Sequence, residues 1–356
     1  MTDLIAQLVE EIGPGHMAST AYDTAWAARL GEIDWDISSK SLAWLAENQL
    51  PDGSWGAPAP MYYHDRVLCT LAAMIALTYR GRRGHDKVQI ENGGLALERI
   101  VGGATLGLQS DPNGATVGFE MIAPTLAAEA ERLGIIKPQG NRILGRLSQM
   151  REKKLAYLKG RMINRHVTMA FSSELAGIDS QHMLDIDNLQ EPNGSVGLSP
   201  SATAYFAAYV RKGDVRSLEY LRQTAKPDGG QPNVSPFDVF EVAWSLWNLS
   251  LIPGLQKTPG LKSHIDFLSN AWEPKLGVAF STAYSIKDSD DTVITYNALL
   301  RYGIEKDIAS ILAYEEEGHF RCFDLEVNPS ISANIHILDG LINSGLTTKN
   351  SSVQKI

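Results

Sequence analysis

Three separated stretches of this chain run from a short helical approach into the same turn: Ser41-Leu-Ala-Trp-Leu-Ala-Glu-Asn-Gln-Leu-Pro-Asp-Gly-Ser-Trp-Gly56, Met183-Leu-Asp-Ile-Asp-Asn-Leu-Gln-Glu-Pro-Asn-Gly-Ser-Val-Gly197 and Leu218-Glu-Tyr-Leu-Arg-Gln-Thr-Ala-Lys-Pro-Asp-Gly-Gly230. The Asp/Asn-Gly pair supplies the positive φ that ends a helix and reverses the chain. One copy would mark any helix end, but three copies with a shared Leu/Gln-rich approach predict a loose internal repeat of stacked helical hairpins, as in an α/α barrel. Apolar residues recur at helical spacing in 67–79, 123–133, 202–210, 239–249 and 292–301, while strand-like alternation is almost absent. The expected fold class is therefore all-α.

Composition removes several function classes. The net charge is −9 and there is no long basic run, so a nucleic-acid footprint is not indicated and an anionic ligand must be met by a local cationic patch. Hydrophobic content of 44% in 356 residues suffices for one large core or two ordinary ones. No segment approaches the roughly 18 continuous apolar residues of a transmembrane helix, and the amphipathic, acidic N-terminus does not resemble a signal peptide. Cys69 and Cys322 fit no metal or redox spacing and are expected as buried, reduced thiols, which favours a cytoplasmic location.

One cluster carries chemistry. Residues 288 to 291 read Asp-Ser-Asp-Asp, three carboxyls within four residues. Taken alone, such a run is a solvated acidic turn or a divalent-cation loop. Crowding and partial burial can instead raise a carboxyl pKa until the acid stays protonated at neutral pH. Alkene protonation requires such a neutral acid.

Five segments in one order make the reading specific: Ser19-Thr-Ala-Tyr-Asp-Thr-Ala-Trp26, Gln49-Leu-Pro-Asp-Gly-Ser-Trp-Gly56, Val117-Gly-Phe-Glu-Met-Ile-Ala-Pro124, Gly229-Gly-Gln-Pro-Asn-Val-Ser-Pro-Phe-Asp-Val-Phe-Glu241 and the acidic cluster. With these the chain resembles a bacterial class II diterpene cyclase of the copalyl and halimadienyl diphosphate synthase type, from about residue 15 onward. The resemblance implies α-helical barrel domains named γ and β, here the first β helix in 1–20, γ in 21–250 and the acid-bearing part of β in 251–356. It also implies protonation of the terminal alkene of geranylgeranyl diphosphate, carbocation ring closure and retention of the diphosphate. The Asp-Asp-x-x-Asp motif of class I cyclases is missing, because Asp290-Asp291 continues Thr-Val-Ile.

By the family's pattern Asp290 is the general acid, Asp288 and Asp291 hold and polarise it, and Asn334 hydrogen-bonds it. His336, two residues further, reads as a packed histidine. Plant relatives end the cascade with a His/Asn base pair. Here Pro232-Asn233-Val234 keeps the Asn, while Phe171 or Ser172 stands where the imidazole would be, which implies a rearranged, halimadienyl- or kolavenyl-type product. Phe171 counts among the expected substrate contacts. Trp244, Trp247, Phe280 and Tyr284 are candidates for a π-rich wall, since aromatic faces stabilise cations without becoming nucleophiles. Lys159 and Arg165, at the end of the densest basic stretch, are the expected phosphate contacts. Mg²⁺ is the implied cofactor, with Glu120 and Asp111 as its reduced ligand set. The signature Tyr22-Asp23-Thr24-Ala25-Trp26 reads as structural, with Asp23 or Thr24 capping a helix and Trp26 packed beneath.

Relatives continue beyond the point where this chain stops at Ile356, so the β domain is expected to hold about half a barrel. Uncovered apolar helix faces would then call for a complementing chain or an oligomer. A noncatalytic or split fragment that binds a prenyl diphosphate or a partner is the alternative function. A glycoside hydrolase would need two opposed carboxylates rather than a contiguous run, and the N-terminal segments argue against triterpene cyclisation.

Overall fold

The computed structural model describes residues 2–81, 84–110, 118–137, 144–254, 258–326 and 329–356. Two compact units divide the chain: one holds Met1–His16, His166–Thr168 and Pro236–Ile356, the other Met17–Arg165 and Met169–Ser235. The boundary after Ser235 lies earlier than the expected 250. The reason is the helix at 238–249, whose apolar positions Val239, Val242, Ala243 and Leu246 recur at i, i+3, i+4 and i+7 and join the core of the first unit.

The chain starts in the first unit with α1 (Thr2–Glu10) and runs through the second as α2 (Ala21–Ala28), α3 (Trp35–Glu47), α4 (Tyr63–Ala76), α5 (Gly84–Ser110), α6 (Phe119–Arg132), α7 (Leu144–Ala156), α8 (Pro200–Tyr205) and α9 (Val215–Thr224). It finishes in the first unit with α10 (Asp238–Leu249), α11 (Leu261–Ala271), α12 (Ser289–Arg301), α13 (Ala309–Leu312) and α14 (Ile331–Asn343). Among the described residues the strand content is one antiparallel pair, β1 (Ser19–Thr20) with β2 (Gln231–Pro232), within the second unit.

In the second unit, small side chains let α2 be buried on nearly every face, with α3, α4 and α8 packed around it. Its cap differs from the expected one. Thr20 is the N-cap and accepts from Asp23 N at 3.1 Å, whereas Asp23 turns inward: its Oδ1 accepts from Ser201 N at 3.0 Å and its Oδ2 from Thr20 Oγ1 at 2.6 Å. Trp26 is buried, as expected.

The turn repeat has one geometry in all three copies. Gly53, Gly194 and Gly229 have φ of 88°, 88° and 90°, and a Cβ at each would stand 2.6 Å from a backbone carbonyl, that of Asn92, Arg216 or Lys40. The Oδ1 of Asp52, Asn193 and Asp228 accepts from the backbone N–H two residues on, at 3.0–3.1 Å. Glycine is required here twice over, for its positive φ and for the close approach of a neighbouring backbone.

The first unit buries Val9, Val242, Leu246, Leu261, Leu268, Val293, Ile294, Ile337 and Leu341 in one cluster. Each such side chain contributes about 1.5–3 kcal/mol by leaving water. Helix α14 turns Ala333, Ile337, Gly340 and Leu341 inward, while Ile331, Ile335 and Ile342 on its opposite face are 79%, 58% and 44% exposed.

Candidate active site

The acidic run sits at the N-terminus of α12. Asp288 is the N-cap, in extended conformation, and its Oδ1 accepts from Asp291 N at 2.8 Å. An Asp at this position satisfies one of the helix's orphan donors, so the local sequence itself starts the helix at the acids. The turn is tied down on both sides: Asp288 N donates to Val278 O at 3.2 Å and Ser289 N to Cys322 O at 2.8 Å. Thr292 Oγ1 accepts from Val278 N at 3.0 Å.

The three carboxyls have different surroundings. Burial, and then the charge of Asp291, push Asp288 well above the usual carboxylate range. Burial pushes Asp291 up to about 7, with the nearby Asp290 charge adding to it and the Asp288 and Trp244 hydrogen-bonding groups opposing it. Both favour the neutral form because desolvation penalises charge. Asp290 lies at the edge of the cluster with its side chain 26% exposed, and its Oδ1 is 2.7 Å from His336 Nδ1.

His336 replaces Asn334 as the partner of Asp290. Asn334 is spent on the backbone: its Oδ1 accepts from Phe320 N at 2.9 Å, and its Nδ2 donates to Phe320 O at 2.9 Å and Ser330 O at 2.8 Å. At about 100° per residue, Asn334 and His336 flank the buried stripe of α14 on opposite sides, and α12 packs on the His336 side. The presence of a titratable ring beside an apolar helical stripe was the available sequence signal, and it does not identify the neighbour.

Aromatic residues of α10 surround the imidazole. Trp244 meets the His336 ring edge-on, with centroids 5.1 Å apart at 82°, and Trp247 does so at 5.8 Å and 69°. Trp244 and Trp247 are themselves 5.7 Å apart. Phe280 and Tyr284 form a separate tilted pair at 4.6 Å. The first unit thus brings Asp288, Asp290, Asp291, Trp244, Trp247 and His336 together.

The remaining candidates belong to the second unit. Asn233 is exposed just after β2, and Phe171 is partly buried in a 3₁₀ segment. Lys159 is exposed, at a φ of 48°. Arg165 reaches Gln190 O at 3.4 Å through Nη1. The basic stretch is partly consumed by packing, since Arg151 donates to Thr125 Oγ1 at 2.8 Å and to Leu175 O at 2.9 Å. Lys154 forms an ion pair with the buried Glu120. Glu120 is thus a carboxylate already compensated by a cation, and Asp111 lies outside the described residues. Among the described residues no group of three or more His, Cys, Asp or Glu is arranged to hold a metal. Cys69 and Cys322 are free thiols, the first buried and the second partly so. No described helix is long and apolar enough to cross a membrane.

The fold is shared with solved terpene cyclases. The ent-copalyl diphosphate synthase of Arabidopsis thaliana superposes with a TM-score of 0.78 at 25% identity, over 99% of this chain and 50% of that one. The corresponding enzyme of Streptomyces platensis gives 0.71 at 26% identity, over 96% of this chain and 68% of that one. These neighbours define an all-α protein of the α/α-barrel terpene cyclase class. No protein-family model matches the chain. By sequence it is 46% identical over 347 residues to the type B diterpene cyclase of Mycobacterium tuberculosis, spanning 96% of this chain and 69% of that protein. The chain belongs to the class II, or type B, diterpene cyclases, a family of isomerase-type enzymes. It spans only 39% of a maize ent-copalyl diphosphate synthase that it also matches.

Proposed function

We propose that this chain cyclises geranylgeranyl diphosphate by protonation, with Asp290 as the acid and the diphosphate retained. The observation that carries the reading is the division of labour in the cluster: Asp288 and Asp291 are desolvated, while Asp290 stands at the edge on His336. If His336 Nδ1 donates to Asp290 Oδ1, the other carboxyl oxygen, Oδ2, is left to carry the proton. Transfer breaks that O–H bond and forms a C–H bond at the terminal alkene, leaving a tertiary cation for the next alkene to attack. The resulting Asp290 carboxylate keeps the His336 N–H bond. Loss of a proton at the end of the cascade makes the reaction a net isomerisation. Trp244 and Trp247 offer ring faces and edges to the cation. The Arabidopsis neighbour was solved with (S)-15-aza-14,15-dihydrogeranylgeranyl thiolodiphosphate, which supports a geranylgeranyl substrate here.

Lys159 and Arg165 are proposed to meet the diphosphate. Mg²⁺, which neutralises phosphate charge when bound, would have Glu120 as its described carboxylate, and that carboxylate would have to give up Lys154. With no imidazole at Phe171 or Ser172, early deprotonation lacks its base, so the product is a rearranged halimadienyl- or kolavenyl-type diphosphate. The test is incubation with geranylgeranyl diphosphate and Mg²⁺, dephosphorylation and mass spectrometry. A bicyclic alcohol is the expected result, and its absence at every protein concentration rejects the reading.

The second reading is a noncatalytic or split fragment that binds a prenyl diphosphate or a complementing chain. Its observation is the exposed stripe of Ile331, Ile335 and Ile342 on α14. Binding of geranylgeranyl diphosphate without turnover would favour it.

A further inference from the structure

Several buried polar atoms around the acid are left over by the hydrogen bonds described above, Ser289 Oγ and Trp247 Nε1 among them. Asp291 Oδ1 and Trp244 Nε1 are shut away from solvent, and neither has a hydrogen-bond partner among the described residues. They lie on packed helices, α10 against α12, and the Trp244 indole is the group outside α12 that favours the Asp291 carboxylate against burial. A buried acceptor without a donor is unfavourable, so a small shift that joins these two atoms is favourable. The same indole packs edge-on against His336, which holds Asp290. One side chain therefore packs on the imidazole that meets Asp290 and acts on the Asp291 carboxyl.

We infer that Trp244 is a positioning residue for the acid: its N–H meets the Asp291 carboxyl, while its ring fixes the imidazole that holds Asp290. This rests on the class II reading and adds to the wall role expected of Trp244. The N–H favours the charged form of Asp291, the carboxyl next to Asp290 on α12.

Other groups lie close enough to be felt in a titration. Asp288 and Asp290 flank Asp291 on α12, and His336 faces Asp290 from α14. Tyr314 and Cys322 sense the Asp288 charge, with Glu326 bonded to Cys322 N, and Lys287 pairs with Glu273 just before α12. The experiment must separate Asp291 from all of these.

The full chain labelled with ¹⁵N-tryptophan has seven indole N–H signals, of which the Trp244 signal is the one lost in Trp244→Phe. That signal is expected to titrate with a midpoint near 7, the value of Asp291. The titration should vanish in Asp291→Asn and persist with a displaced midpoint in Asp290→Asn. A flat signal in the wild type, or an unchanged titration in Asp291→Asn, overturns the inference whether or not the chain turns over substrate. Turnover supplies a second arm. Trp244→Phe, and replacement of Trp244 by benzothienylalanine, which keeps the ring system and lacks the N–H, should each lower kcat about tenfold with KM unchanged. Both should move the low-pH limb of the rate profile up by about one unit, the displacement that a tenfold change in an ionisation constant produces. A wild-type pH profile in the benzothienylalanine protein overturns the inference. A wild-type chain that makes no product instead counts against the cyclase reading, and the indole titration still decides the role of Trp244.

Discussion

The two units each bury acidic side chains, and in the first a partly exposed acid stands directly beside the buried ones. In the second unit, burial raises Asp23 to about 7 and Glu174 to about 8, against hydrogen bonds that favour their charged forms. Tyr22 donates its hydroxyl to Glu174 Oε1 at 2.8 Å, and Asp23 is held by Thr20 and Ser201. Both carboxyls are enclosed, at 1% and 2% exposure, and tie α2 to α8 and to the 3₁₀ segment. In the first unit, Asp288 and Asp291 are shifted by the same desolvation, yet Asp290 remains partly exposed and carries a histidine. A raised carboxyl pKa is thus a mark of burial in both places. Access to a substrate, together with a second group orienting the proton, distinguishes a candidate acid from a structural one.

The comparison breaks first at Asp290. Asp290→Asn should lower product formation by about 10³-fold or more with an unchanged melting temperature, whereas loss of folding in that variant would place Asp290 with the structural acids. Next comes the exchange between His336 and Asn334. His336→Ala should lower kcat about 10²-fold by releasing the acid from its orientation, and Asn334→Ala should instead cost about 1–3 kcal/mol of stability by stranding Phe320 and Ser330 backbone groups. A denaturant titration beside a rate assay separates them. A larger rate effect from Asn334 than from His336 would reverse the assignment.

In the turn repeat, Gly194→Ala meets both a positive φ and the Arg216 carbonyl, so the expected loss is about 3 kcal/mol. Equal losses at Gly53 and Gly229 would establish the three turns as energetically equivalent.

The smallest effect is the pH dependence of the second unit. For Asp23 and Glu174 the folded pKa lies above the unfolded one, so their neutral forms support folding fully below about pH 4, and that support is lost as pH rises through 7 and then 8. Glu174→Gln cannot ionise and should flatten this decline. The gain over wild type at pH 9 should be about 1–3 kcal/mol, read from chemical denaturation at several pH values. A decline unaffected by the substitution would place the titration in the other raised carboxyls, Asp23, Asp288 and Asp291.

What could be read from the chain was local. Asp288, Asp290 and Asp291 lie within four residues, and the N-cap preference that starts α12 acts over the same span, so the acid and its helix were visible together. The Pro-Asp-Gly repeat was visible for the same reason, because φ at glycine is a property of the turn itself. The helical class followed from apolar spacing. Asn334 was legible as a helix residue near the acid's partner position, but its actual neighbours, Phe320 and Ser330, depend on how the preceding loop folds back. Asp23 was legible as a polar residue at a helix start, and its turn inward to Ser201 depends on a contact 178 positions away in sequence. Glu120 was legible as an acid, and Lys154 claimed it through the packing of α6 on α7.

The sequence by itself therefore determined the helical class, the Asp/Asn-Gly turns and the presence of three crowded carboxyls, since these rest on interactions between residues a few positions apart. Only the tertiary structure decided which carboxyls lose water, which one stays at the edge, and that His336 rather than Asn334 meets it. Desolvation and side-chain pairing depend on the packing of α10, α12 and α14, and no spacing along the chain encodes which sides of those helices come together.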